Sequence, residues 1–151
     1  MRVPLLCASI LFAAVPALAS GGLSCEAKDE HVALAIDSGV TRGMGNPVFN
    51  FRGTLEIADP AVAEDLASTA FEGGHLAQYW SDGDSLKLRL YRERDGDAAH
   101  GYVQLVIETA PDGDDGSFEG QYRLTVFDMT GAVSGEGRTV SLDGNVRCFV
   151  E

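Results

Sequence analysis

Ser85-Leu86-Lys87-Leu88-Arg89-Leu90-Tyr91 is the stretch on which the fold turns. Three leucines alternate with two bases and a tyrosine. A β-strand sends successive side chains to opposite faces, so Leu86, Leu88 and Leu90 share a buried side while Lys87, Arg89 and Tyr91 meet water. A helix would scatter the same leucines around its axis and bury the bases with them.

The same period of two recurs on both sides of this stretch. Val32, Leu34 and Ile36 alternate with Ala33, Ala35 and Asp37. Phe49, Phe51, Leu55 and Ile57 take one face against Asn50, Arg52, Thr54 and Glu56, and Gly53 on the apolar face marks a bulge or a close backbone approach. Leu76 to Ser81 reads as a short strand holding Trp80. Val103, Leu105 and Ile107, then Tyr122, Leu124 and Val126, continue the series. Arg138 to Leu142 and Asn145 to Val150 end it, joined by an Asp143-Gly144 turn like those at Asp82-Gly83 and Asp95-Gly96. Loops are expected over Ser38 to Pro47 and Pro111 to Ser117.

One segment departs from this pattern. Asp59 can cap a helix, Pro60 suits its first turn, and Glu64 and Asp65 favour its N-terminal half. Val62, Leu66 and Ala70 follow at i, i+4 spacing and Gly73-Gly74 stops it. A helix from Asp59 to Glu72 is expected, plugging one end of the β structure. The fold class that results is all-β, an antiparallel β-sandwich or barrel of seven or eight strands with one short helix. Alternation alone does not separate the sandwich from the barrel.

Residues 1–19 read as a signal peptide. Arg2 supplies the positive start, Val3 to Val15 the apolar run, and Ala17-Leu18-Ala19 the cleavage site. Residues 20–151 are then a single β domain of 132 residues, large enough for its own core. Cys7 leaves with the signal peptide. Cys25 and Cys148 remain near the two ends of the domain, and an oxidising compartment favours a disulfide between them. Lipidation of Cys25 is the rival, but Gly22-Leu23-Ser24 only half matches the required context and Cys148 would be left alone.

The chain carries 11 basic and 23 acidic residues. Without Arg2 the mature net charge is −13. Nucleic acid and anionic membrane surfaces repel such a protein, and a basic protein attracts it. Only two lysines, Lys28 and Lys87, accompany nine arginines, and Ala, Gly and Asp are plentiful. That bias suits a GC-rich bacterium, so the destination is the periplasm or the medium.

Motifs with chemistry are few. Asp112, Asp114 and Asp115 resemble a weak calcium loop, yet the run lacks the glycine at position six and the closing glutamate. Asp-Gly is also what a tight turn requires. His31, His75 and His100 lack metal-ligand spacing, and there is no G-x-S-x-G elbow. The glycine loop could project Arg42 and Met44. Lys87, Arg89, Arg92 and Arg94 with Tyr91 form the densest basic cluster, either an anion- or sugar-binding face or the solvent side and end of one strand.

Three runs carry a resemblance: Ala63-Glu64-Asp65-Leu66, His75-Leu76-Ala77-Gln78-Tyr79-Trp80, and Leu90-Tyr91-Arg92-Glu93-Arg94-Asp95-Gly96. Over its middle third the chain resembles uncharacterised short exported proteins of alphaproteobacteria. The resemblance implies export from a bacterium and assigns no site.

Three functions compete. The first is a non-catalytic binding module of the envelope facing a basic protein. The second is a barrel holding a small apolar ligand among inward-facing Phe49, Phe51, Trp80 and Tyr122. The third is a hydrolytic enzyme, for which no nucleophile or acid–base pair is recognisable. No cofactor is implied, no second stretch is apolar enough to span a bilayer, and a monomer is expected. N-terminal sequencing of the exported protein should begin at Ser20; an uncleaved Met1 or a diacylglyceryl group on Cys25 would contradict the export reading.

Overall fold

The computed structural model describes residues 20–42, 47–131 and 135–151. The expected signal peptide and Met44 lie outside them. Nine strands form one antiparallel sheet: β1 (Ser20–Lys28), β2 (Val32–Thr41), β3 (Val48–Ile57), β4 (Ser68–Glu72), β5 (Leu76–Asp82), β6 (Ser85–Glu93), β7 (Gly101–Pro111), β8 (Ser117–Asp128) and β9 (Arg138–Val150). Among the described residues a single helical turn, α1 (Glu64–Ala67), precedes β4, and a 3-10 turn at Gly73–His75 separates β4 from β5. The order across the sheet is β4-β3-β2-β1-β9-β8-β7-β6-β5. The sheet coils on itself into a nearly closed barrel, so the open choice between sandwich and barrel falls to the barrel.

The alternating strands pack as their period dictates. Leu86, Leu88, Leu90, Val103, Leu105, Ile107, Tyr122, Leu124 and Val126 are all buried inside the barrel. Val32, Leu34, Ile36, Phe51, Leu55 and Ile57 meet them from the N-terminal strands. Apolar side chains fill the interior and charged ones line the outside, the reverse of a membrane barrel with its apolar outer band. No helix among the described residues is long and apolar enough to cross a membrane.

The first and last strands join the two halves. β1 pairs with β2 on one side and with β9 on the other, and Cys25 stands directly opposite Cys148 in that register. The two are bonded, closing a separation of 123 residues. A loop of that length makes the bridge worth about 4–5 kcal/mol in the chain-entropy account.

Four expectations are corrected. The helix expected from Asp59 to Glu72 is one turn only. Asp59 does accept from the backbone N–H of Ala61 at 2.8 Å. From Ser68 onward, however, Thr69 and Phe71 are buried while Ser68, Ala70 and Glu72 are exposed. That is a strand pattern, and the free edge of β3 recruits it. Val62 and Leu66 still enter the core. Secondly, the loop expected from Ser38 continues as β2 to Thr41. Thirdly, Phe49 is 42% exposed instead of inward, because Asn50 has φ +52° and breaks the alternation of β3. Phe49 instead lies over Gly39, where an added Cβ would sit 2.3 Å from its ring.

Asp143-Gly144 is the fourth departure from expectation. It is no turn: β9 runs unbroken for 13 residues and pairs with β8 from Arg138 to Phe149. Gly144 lies opposite Tyr122, whose ring crosses it to reach the β1–β2 hairpin. There the Tyr122 hydroxyl donates to Asp29 Oδ2 at 2.5 Å, and Asp29 Oδ1 accepts the backbone N–H groups of His31 and Val32 at 2.8 Å each. Any Cβ at position 144 would fall 2.6 Å from both Asp29 Oδ2 and Tyr122 Cε1. Burial and the Asp29 carboxylate push the Tyr122 phenol well above its ordinary range. Burial would raise Asp29, but the hydrogen bonds from Tyr122, His31 and Val32 outweigh it and hold the carboxyl below 3.8.

Gly144→Ala should destabilise the protein by about 2 kcal/mol, in the range of overpacking at a filled site. Tyr122→Phe, which only removes the hydroxyl, should cost about 1 kcal/mol. Urea denaturation of the two variants checks the order; equal, negligible losses would show that the Tyr122 bridge is idle.

Candidate functional site

The basic cluster of β6 is divided by the alternation of the strand that carries it. Lys87, Arg89 and Tyr91 point outward; Arg92 and Arg94 have the parity of the buried leucines and stand at the barrel rim. Arg92 donates to the backbone oxygen of Ala70 on β4 at 2.5 Å and to Asp95 at 2.7 Å. Its side chain thereby stitches β6 to β4, where no backbone ladder joins them.

Arg94 is almost fully covered, with 6% of its side chain exposed. It donates to Asp65 of α1 at 2.5 Å, Asp128 at 2.9 Å, the Ala99 carbonyl at 2.6 Å and Thr130 at 3.1 Å. The Asp65 and Asp128 hydrogen bonds raise its pKa, so it stays charged. Burial would raise Asp128, but the Thr130 N–H and the guanidinium hold it below 3.8. The guanidinium locks the end of β6 to α1 and to the end of β8. Arg138 adds a bond to Ala61 from the start of β9 at 3.1 Å, so α1 is held against one end of the barrel.

The outer face of β5, β6 and β7 is a different environment. Register places Trp80 beside Lys87 and Gln78 beside Arg89. Lys87 lies opposite Glu108, 4.0 Å from its carboxylate. Arg89 donates to Gln104 at 2.8 Å. These side chains bound an open surface groove of 820 Å³. Trp80 is 59% exposed, the most exposed large apolar side chain among the described residues. Its indole N–H donates to Asp82 at 2.8 Å, and Asp82 is itself fixed by the N–H groups of Asp84 and Ser85. The ring is thus held in place before any ligand arrives.

The other end of the face is aromatic too. Tyr91, Tyr102 and Phe127 lie side by side across three strands, with ring centroids 5.3 and 5.4 Å apart, and His100 packs against the last two. Tyr91 donates to Glu93 at 2.8 Å, and burial with that carboxylate raises its pKa. Two aromatic ends therefore bracket Lys87 and Arg89. The sequence points to Lys87, Arg89 and Tyr91; it gives no sign that Tyr102 and Phe127 join them, because that depends on register.

The remaining candidates are dispersed. Arg42 is exposed just beyond β2. Asp112 turns back on its own loop, accepting from the Ser117 hydroxyl at 3.0 Å. The Asp114 N–H donates to the same Asp112 carboxylate at 3.4 Å, and among the described residues no group of three or more His, Cys, Asp or Glu is placed to hold a metal ion. Trp80 and Phe49 are outside while Phe51 and Tyr122 are core, so the four aromatics expected to line one cavity do not converge. His75 accepts the Glu72 N–H, His31 neighbours Glu30, and His100 stacks on aromatic rings.

No family model, curated protein or solved structure matches the chain.

Arg94→Ala should cost about 3 kcal/mol, because it strands the largely covered Asp128 carboxylate and empties the buried guanidinium site. Arg89→Ala should stay within about 0.5 kcal/mol, as expected of an exposed side chain. Similar losses in thermal unfolding would refute the division of the cluster. Asp29 and Asp128 both have folded pKa values below 3.8. Their stabilisation is complete above that value and is lost as pH falls through the folded values. The urea midpoint should therefore decline below about pH 4, less steeply in Asp128→Asn. A midpoint insensitive to acid would contradict the pairing.

Proposed function

We propose that the mature chain is an exported, non-catalytic binding module of the bacterial envelope that engages a partner protein through the outer face of β5, β6 and β7. The observation that carries this reading is the exposed, hydrogen-bonded Trp80 beside Gln78, Lys87 and Arg89 on the outer face of the sheet. An immobilised tryptophan beside arginine is the composition of interface hot spots, and a pre-fixed ring loses little entropy on binding. The Cys25–Cys148 bond supports an oxidising location outside the cytoplasm.

The packed interior favours this reading over a barrel with an apolar ligand. Leu86, Leu105, Ile107, Leu124 and Tyr122 are at most 1% exposed and occupy the space such a ligand needs. The charge of −13 steers the chain towards a cationic protein, and the encounter rate should fall as salt is raised. Lys87 and Arg89 break the acidic surface locally and fix orientation against acceptors on the partner.

Capture of a partner by the immobilised mature chain should drop at least tenfold in Trp80→Ala/Arg89→Ala, with the melting temperature unchanged, since exposed charges contribute little to stability. Arg42→Ala should capture normally. Unchanged capture in the double variant, or a hydrolase activity that disappears with one Asp, Glu, Ser or His substitution, would overturn the proposal.

A further inference from the structure

A nearly closed sheet has two terminal strands, here β4 and β5. They are treated differently. β4 is covered: Arg92 occupies the Ala70 carbonyl, and α1, packed beside it, is pinned by Arg94. β5 is not. An antiparallel strand turns the N–H and C=O of every second residue away from its neighbour. Among the described residues, no group accepts from or donates to the backbone of Ala77 to Ser81 on the side away from β6. Proteins blunt such edges with lysine, proline or a covering segment. The sequence of β5, Leu76-Ala77-Gln78-Tyr79-Trp80-Ser81-Asp82, contains no lysine, arginine or proline. Its one irregularity, at Ala77, lies at the start and leaves Gln78 to Asp82 in regular pairing with β6.

We propose that this free edge accepts an extended, cationic segment of the partner as a tenth strand. The inference rests on the surface-binding reading and specifies its geometry. Main-chain hydrogen bonds supply affinity in such strand addition, and alternate side chains supply selectivity. Here one face of the added strand lies beside Gln78 and Trp80, the outward residues of β5. The charges select a cationic occupant. Glu72 precedes β5, Asp82 ends it and Asp84 follows, so both ends of the edge are acidic; the nearest bases, Lys87 and Arg89, lie one strand further in on β6 and are engaged by Glu108 and Gln104. A second copy of this chain would set −13 against −13. Seven residues of strand span about 23 Å, which a segment of similar length with lysine or arginine at each end matches.

The test uses the disulfide-bonded mature protein, isotope-labelled for NMR, and a heptapeptide of alternating Thr and Val with Lys at both ends. At millimolar peptide, the amide signals of residues 77–81 should shift and become protected from exchange. The same peptide N-methylated at alternate residues should bind at least tenfold more weakly, as should a version with Glu in place of Lys. Trp80→Lys should lose binding tenfold without loss of its folded spectrum. Shifts centred away from β5, no shifts at all, or equal binding of the N-methylated peptide would overturn strand addition. Shifts at β5 that depend on protein concentration without peptide would make a second copy the occupant and also overturn it. Partner capture that still requires Trp80 and Arg89 after such a failure would leave the surface reading standing.

Discussion

The pairing of β1 with β9 is the joint on which the rest of the molecule depends. On one side of it lie β2, β3 and β4, and on the other β8, β7, β6 and β5. Each set is a simple meander with local contacts. Only the register of Cys25 against Cys148 places the apolar face of one set over the apolar face of the other. Neither set could bury its own face alone, because a sheet with one apolar side needs a second layer. The joint is costly to form, since it brings together residues 123 apart in sequence. The disulfide removes that cost from the unfolded state, and the Tyr122–Asp29 bond adds a second tie across β9.

Closure on the opposite side is achieved by side chains. Arg92 and Arg94 span the gap between β6 and the β4–α1 segment, and the chain simply passes from β4 pairing with β3 to β5 pairing with β6. That switch has a structural consequence. Among the described residues it leaves β5 with one ladder and one bare edge, next to a part of the surface where bases, amides and a fixed tryptophan adjoin. With the interior filled by side chains, the proposed partner binding would have to use this exterior. The same residues that look like one basic cluster in sequence thus serve two ends: Arg92 and Arg94 close the barrel, and Lys87 and Arg89 face outward.

Much of this was legible from alternation. Leu86, Leu88, Leu90 and the matching sets on β7 and β8 identify their faces without a structure, whereas the separation of Arg92 and Arg94 from Lys87 and Arg89 shows only once Ala70, Asp65 and Asp128 are in place. What failed did so for local reasons that need a partner strand to be seen. Ser68 to Glu72 has both a helical i, i+4 reading through Val62, Leu66 and Ala70 and a strand reading through Thr69 and Phe71; the empty edge of β3 decides. Asp143-Gly144 has the composition of a turn, but its glycine exists to admit the Tyr122 ring from β8. Trp80 sits in a strand whose inward and outward sides are both mixed, so its exposure follows only from pairing with Lys87. The aromatic row of Tyr91, Tyr102 and Phe127 depends on three registers at once.

Hydrogen exchange, compared between the oxidised mature protein and Cys25→Ala/Cys148→Ala, tests the role of the β1–β9 joint directly. With the disulfide intact, core amides of both strand sets should exchange through one common opening. Without it, that opening should become easier by about 4–5 kcal/mol for both sets together. If amides of β6, β7 and β8 kept their protection while those of β1, β2 and β3 lost theirs, the two halves would be independent and the joint would not be what holds the structure.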